Sequence, residues 1–374
     1  MNYKRYWKQW RFFYSFLPML DTLIVGYGLA GFQLAWQLKT HNKNFLIFSD
    51  PYIEGASRNA AGVCNPTVLK RYTLAWQGLA FSNYAEEHYV NLEQQLNHNF
   101  FQKLPIHRYF FSTAEQNEWY TASQKPGLIH FLNSEIAHEA EPTMKRQLGY
   151  GIVEQVGRLD IKGLLDHFKQ KIAPSSFREA SFDYNALQLT PEQISYQGVT
   201  AKRIVFCEGF GLKTNPWFNY LPLLGSKGEY LIIKAPHLIP DYLIKGGVFI
   251  VPLKADLYWV GATFSPQDKT LHPTEKGKNW LRQKLEDLIN VPYEIHTHGA
   301  AIRPTVIDRR PLLGAHPQAP NIFVFNGLGT RGALMAPLLS KWLYEFIENG
   351  KQLPEEVAID RFENYFSTRL KPYA

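Results

Sequence analysis

The stretch that most limits how this chain can fold is residues 21–50. Residues 22–25 are a short apolar run of strand composition, and Gly26-Tyr27-Gly28-Leu29-Ala30-Gly31 follow as a G-x-G-x-x-G turn. Leu29, Phe32, Ala35 and Leu38 then recur at helical spacing, so one helix face can pack on a sheet. Residues 45–48 form a second apolar run that ends in Ser49-Asp50, with Asp50 24 residues after Gly26. Strand, glycine turn, helix, second strand and terminal acid in this order predict a dinucleotide-binding βαβ unit.

Each position has a physical role in that unit. Gly26 permits the turn out of the strand, Gly28 lets the backbone approach a pyrophosphate, and Gly31 allows close contact between helix and strand. The diphosphate would rest on the amides of Leu29 and Ala30 at the helix N-terminus, where unpaired N–H groups and the positive dipole end favour anions. Asp50 stands near where an acidic side chain meets the adenosine ribose hydroxyls, and Ser49 beside it is a further cofactor-contacting candidate.

At 374 residues, 45% hydrophobic and 20% charged, the chain is long enough for two domains and has the composition of a globular protein, not a disordered one. Its net charge of +7 would suit a nucleic-acid partner. Four of those charges, however, are Lys4, Arg5, Lys8 and Arg11 in residues 1–18, a segment with eight aromatic residues and no acid. The rest is only mildly basic. This extension lacks the apolar core and small-residue cleavage site of a secretory signal, and it is too short and polar to span a bilayer. Two readings of it stay open: a start placed too early, with Met19 as initiator, or a basic aromatic patch on a membrane surface. Cys64 and Cys207 are the only cysteines and form no C-x-x-C, which excludes a disulfide framework and a thiolate zinc site and suits a cytoplasmic location without an integral membrane span.

After the βαβ unit, residues 55–71 (GASRNAAGVCNPTVLKR) form a small-residue loop. Ser57, Arg58 and Asn59 offer donors, while Ala60, Ala61 and Gly62 leave room for a flat ring near the backbone, so a cofactor-contacting loop is expected. A helix is expected over 72–96, and residues 100–135 begin a second domain rich in β-formers. Asp160 is an N-cap for a helix over 161–172. Residues 203–207 are a buried strand ending in Glu208-Gly209-Phe210-Gly211, a return to the cofactor crevice at Gly209. Residues 226–264 alternate as a sheet that would roof the substrate, and a helix is expected near 275–290. His296 and His298 lie two apart on a strand but lack a third ligand nearby, so they are read as structural and no metal site is expected. Near the C-terminus, Asn326-Gly327-Leu328-Gly329-Thr330-Arg331-Gly332 leads into another helix and again places bare amides at a helix N-terminus.

Together, LIVGYGLAG with Asp50, GASRNAAG, IVFCEGFG, GSKGEYLII, VGATF, RPTVIDRRPLLG and NGLGTRGALMAP resemble the FAD-dependent oxidoreductases of the D-amino-acid oxidase and glycine oxidase superfamily, in family order from residue 21 to the C-terminal helix. The resemblance implies an α/β protein: a Rossmann-like FAD-binding domain interleaved with an antiparallel-sheet α+β substrate domain. It divides the chain into 19–98, 140–225 and 297–374 for FAD, and 99–139 and 226–296 for substrate. FAD would be held by the glycine turn, Ser49, Asp50, the 57–62 loop, Gly209, and Gly327, Gly329, Thr330, Arg331 and Gly332. Arg303 matches the arginine that binds the substrate carboxylate in glycine oxidases, while Phe249 stands where those enzymes often have a tyrosine. Leu328-Gly329-Thr330-Arg331 and GASRNAAGVCNP look more like the oxidase domain of the bifunctional tRNA-modifying enzyme that makes methylaminomethyl-thiouridine.

The expected activity is oxidation of a C–N bond in an amino acid or N-substituted glycine. Hydride passes to flavin N5, the imine is hydrolysed, and molecular oxygen or another acceptor takes the electrons. Arg303 orients the carboxylate and Arg331 assists at the flavin or a substrate anion. The alternatives are the same chemistry on a wobble uridine of tRNA, an FAD-bearing protein without turnover, and an NAD enzyme.

Overall fold

The computed structural model describes residues 19–139, 141–145, 147–238 and 240–370; the basic aromatic extension 1–18 lies outside the described residues. The expected βαβ unit is present as strand Leu20–Val25, helix Leu29–Thr40 and strand Phe45–Ser49. The two strands pair in parallel. Phe177–Glu179 adds to the outer edge, and Val199–Phe206 pairs on the other side, followed by Ala319–Asn326, all parallel.

Alternation along these strands builds two cores. Ile24, Ile47 and Val205 face helices Leu29–Thr40, Ile161–Lys171 and Gly332–Asn349, while Leu23, Val25, Leu46, Phe48, Ile204 and Phe206 pack on the opposite face. Helix and sheet approach closely at the turn. A Cβ on Gly31 would fall 2.0 Å from the carbonyl oxygen of Gly26, which itself has φ +101°. Neither position tolerates a side chain.

A second sheet, of eight strands among the described residues, runs in the order Glu294–Arg303, Ser226–Lys234, Leu257–Gly261, Phe249–Pro252, Leu243–Lys245, Ile106–Tyr109, Tyr150–Val153, Leu132–Ala137. Neighbours are antiparallel except Leu243–Lys245 beside Ile106–Tyr109. Leu231, Ile250, Val260 and Ile244 project to one side, where helix Glu275–Glu286 covers them with Leu281 and Leu285. The other side faces the first sheet and forms a roof.

Several expectations need correction. The boundary at 140 places Tyr150–Val153 with the FAD-binding part, yet this strand pairs with Ile106–Tyr109 in the roof sheet. The boundary at 297 cuts through Glu294–Arg303, a single strand that pairs with Ser226–Lys234 on both sides of one bulge. Composition does not mark these edges because they are set by interstrand hydrogen bonds. The helix expected from residue 72 begins at Gly78: Thr73–Leu74 pairs with Thr67–Val68, and positive φ at Tyr72 and Gln77 breaks the helical path. The 55–71 loop contains one helical turn, Ala56–Asn59. Asp160 caps helix Ile161–Lys171, accepting a 3.1 Å hydrogen bond from the Gly163 amide.

His296 is the unpaired residue of a bulge opposite Ile232 and Ile233, whereas His298 Nε2 lies 3.0 Å from Glu229. Bulging separates their environments, and among the described residues no cluster of three or more His, Cys, Asp or Glu is placed to hold a metal ion. No described helix is long and apolar enough to cross a membrane.

Candidate functional site

A cavity of about 1320 Å³ lies between the carboxyl ends of the parallel strands and the inner face of the roof. Open α/β sheets bind ligands at this crevice, because strand ends and helix N-termini converge there. Every site residue predicted from sequence lines it except Gly31 and Gly327. Those two act behind the wall: Gly31 against Gly26, and Gly327 where a Cβ would fall 2.8 Å from Val306.

At the nucleotide end, the first helix amide, Leu29 N, donates to Ser57 Oγ at 3.0 Å, which ties the 55–62 loop to the glycine turn. Asp50 closes its strand by accepting from the Tyr52 amide at 2.8 Å and from the Ser181 hydroxyl. Arg58, expected as a donor in this loop, lines the cavity and donates to Asp166 of helix Ile161–Lys171 at 2.7 Å. Asn59 connects floor and roof: its side-chain oxygen accepts from the Tyr230 hydroxyl, and its backbone carbonyl accepts from Trp259 Nε1 at 3.1 Å.

The roof side chains follow from register. Tyr230 pairs with Gly261, Gly261 with Phe249, and Phe249 with Lys245, so this row points into the cavity. Trp259, two residues before Gly261, shares the face and stacks on Tyr230 with ring centroids 5.7 Å apart. Arg303 comes from the neighbouring strand and lies over Gly228. Its guanidinium reaches the Thr263 carbonyl only at 3.5 Å, and it makes no ion pair with an acid among the described residues. Burial lowers its pKa. Arg331, at the N-cap of helix Gly332–Asn349, donates to the Thr67 carbonyl at 3.2 Å, leaves Nε buried without a partner, and is also lowered by burial. Two half-buried guanidiniums without carboxylate partners among the described residues, lining one cavity, are suited to receive anions.

Sequence reasoning passed over Glu208 as a functional group. It follows strand Val199–Phe206, lines the cavity, and accepts from Tyr184 at 2.5 Å and Asn215 at 2.8 Å. Burial pushes its carboxyl up to about 7, with the two hydrogen bonds opposing. The available signal was an acid directly at the end of an apolar strand.

The residues present fit a flavin dinucleotide. The glycine turn offers close backbone approach and a helix N-terminus, a second helix N-terminus stands at Gly332, and the cavity is larger than a small metabolite requires.

Comparison with known proteins agrees with this geometry. The bifunctional protein ThiO/ThiG of Trichormus variabilis is 23% identical over 93% of this chain and 56% of its own length. The tRNA 5-methylaminomethyl-2-thiouridine biosynthesis bifunctional protein MnmC of Idiomarina loihiensis is 23% identical over 86% of this chain and 54% of its own. The chain thus spans about half the length of these curated relatives. Among solved structures, glycine oxidase from Geobacillus kaustophilus superposes with a TM-score of 0.74 at 20% identity, covering 89% of this chain and 96% of that one. Iminodiacetate oxidase from Chelativorans sp. BNC1 gives 0.74 at 18% identity, covering 91% and 98%. Residues 21–346 match the DAO family of FAD dependent oxidoreductases, and with that span matched the chain belongs to this family.

Proposed function

We propose that this chain oxidises the C–N bond of an amino acid or N-substituted glycine, with FAD held by the parallel-sheet part and substrate under the roof. The observation that carries this reading is Arg303: a half-buried guanidinium on the roof of the cavity, without an acid partner among the described residues. A carboxylate is the natural complement, since two parallel N–H···O bonds would fix it bidentately and desolvation of the cation would be compensated. Held this way, the carbon beside the amine is presented to the floor of the cavity, and the aromatic walls Tyr230, Trp259 and Phe249 exclude water. Bound FAD supplies the acceptor for the hydride. Arg331 offers positive charge at the far wall, for flavin or substrate anion.

Anaerobic mixing of the FAD-loaded protein with glycine, sarcosine, iminodiacetate and D-amino acids tests this directly. Bleaching of the flavin absorbance by one of these supports the reading; a flavin that none of them reduces sinks it. A second reading, the same chemistry on a tRNA side chain, is favoured by the similarity to MnmC over 86% of the chain. Bleaching by carboxymethylaminomethyl-modified tRNA but by no free amine would select it. The two cysteines, both buried and free, are compatible with a reducing cytoplasm.

A further inference from the structure

The roof of the cavity carries a second cation that the carboxylate-binding role of Arg303 does not use. Lys245 ends strand Leu243–Lys245 and lines the cavity; its ammonium lies 5.0 Å from the Phe249 ring and donates to the Gly246 carbonyl at 2.7 Å. Among the described residues it makes no ion pair with a carboxylate. Burial first, then the nearby charges of Arg108 and Lys70, brings its pKa down to about 8, with Glu115 opposing. Arg108 is already occupied by Glu115 at 2.8 Å. Lys70 is exposed on the turn after Thr67, lines the same cavity, and follows the carbonyl that Arg331 holds. Lys245 and Lys70 therefore place two positive charges on the lining of the same cavity, close enough to act on each other.

The acids of the cavity are elsewhere. Asp50, Glu54, Glu179 and Glu208 all belong to elements around the ends of the parallel strands, and among the described residues no acid of the roof lines the cavity. A partly buried ammonium beside two other cations is costly unless an anion joins it.

We propose that the substrate carries a second anionic group, and that Lys245 with Lys70 receives it while Arg303 holds the carboxylate next to the reacting amine. The proposal rests on the amine-oxidising reading of the same cavity. Register sets the separation. Lys245 and Tyr230 are three strand spacings apart, roughly 14 Å, and Gly228, under Arg303, is about 7 Å further along its strand, which puts the two backbones roughly 16 Å apart. Side chains reaching inward from both ends reduce this to on the order of 10 Å between cationic heads. A compact diacid cannot bridge that distance. The fitting ligand is an N-carboxymethyl amine whose other arm is several bonds long and ends in a carboxylate or a phosphate.

The test uses the FAD-loaded full chain and three matched N-carboxymethyl amines, with the long arm ending in a carboxylate, a phosphomonoester or a neutral carboxamide. Dissociation constants come from perturbation of the flavin spectrum and reduction rates from anaerobic mixing. An acid-ended arm is expected to bind about tenfold tighter than the carboxamide, as one charge-assisted contact allows, and the advantage is expected to shrink at high salt. Lys245→Met should bring the ratio close to one and Lys245→Arg should keep it; Lys70→Met should reduce it in part. Preference for the phosphomonoester assigns a nucleotide-like source, and preference for the carboxylate an amino-acid-like one. A ratio near one in the unaltered protein, or one that survives Lys245→Met, overturns the proposal. If no amine reduces the flavin but acid-ended arms still bind tighter through Lys245, the anion site stands and the oxidase reading fails. If sarcosine reduces the flavin and the ratio is one, the opposite holds.

Discussion

The Arg303 guanidinium rests on the backbone of Gly228, so closely that a Cβ on Gly228 would fall 2.0 Å from Nη2. The two positions come from adjacent antiparallel strands, where Gly228 pairs with Ala301 and Ser226 with Arg303. The missing side chain makes the place for the cation.

Gly228→Ala is therefore expected to push the guanidinium out of position without disturbing the nucleotide turn. Affinity for an amino-acid carboxylate, titrated through the flavin spectrum, should fall at least about tenfold, or roughly 1.4 kcal/mol, while FAD stays bound. Unchanged affinity would remove Arg303 from the carboxylate site.

The Arg331 side chain has a buried Nε without a partner and, among the described residues, donates to the Thr67 carbonyl. Arg331→Met keeps much of the packing and deletes the charge. Retention of FAD on gel filtration, or affinity for anionic substrate, is expected to drop by about tenfold, as loss of one charge-assisted contact predicts. If neither changes, the charge serves no bound anion.

Glu208 gives the protein without FAD a pH signature. Its carboxyl titrates near 7 in the fold, against an ordinary 4.5, chiefly because it is buried. Between those values the folded chain holds a proton that the unfolded chain has released, so stability is full below about pH 4.5 and falls as pH rises through about 7. The full effect is of order 3 kcal/mol. Urea unfolding across this range should show the decline, and Glu208→Gln should flatten it.

On the opposite face of the roof, Glu229 is 3% exposed and accepts from the Thr274 amide at 2.8 Å and hydroxyl at 2.9 Å, beside His298 at 3.0 Å and Lys227 at 3.8 Å. Glu229→Ala would loosen the start of helix Glu275–Glu286 and strip a buried lysine of one of its two acids, Asp268 remaining at 2.6 Å. A loss of about 3 kcal/mol in chemical denaturation is expected. A loss below roughly 1 kcal/mol would mean that Asp268 alone suffices for Lys227.

What the sequence determined by itself was local. The strand, glycine turn, helix and acid of residues 21–50, the Asp160 cap, and the alternation of residues 226–264 each express a periodicity or a backbone requirement contained within one stretch of chain, so they could be read there. The tertiary structure alone decided the rest. It placed Asn59 under Tyr230 and Trp259, joined Arg58 to Asp166, laid Arg303 on Gly228, set Glu208 between Tyr184 and Asn215, and brought Lys245 to the same cavity as Lys70. These contacts depend on strand register and on how the two sheets face each other. A shift of one residue would turn Tyr230, Phe249 and Lys245 away from the cavity, and no local pattern encodes that choice, because the pairing energy that fixes it is spread over residues far apart in the chain.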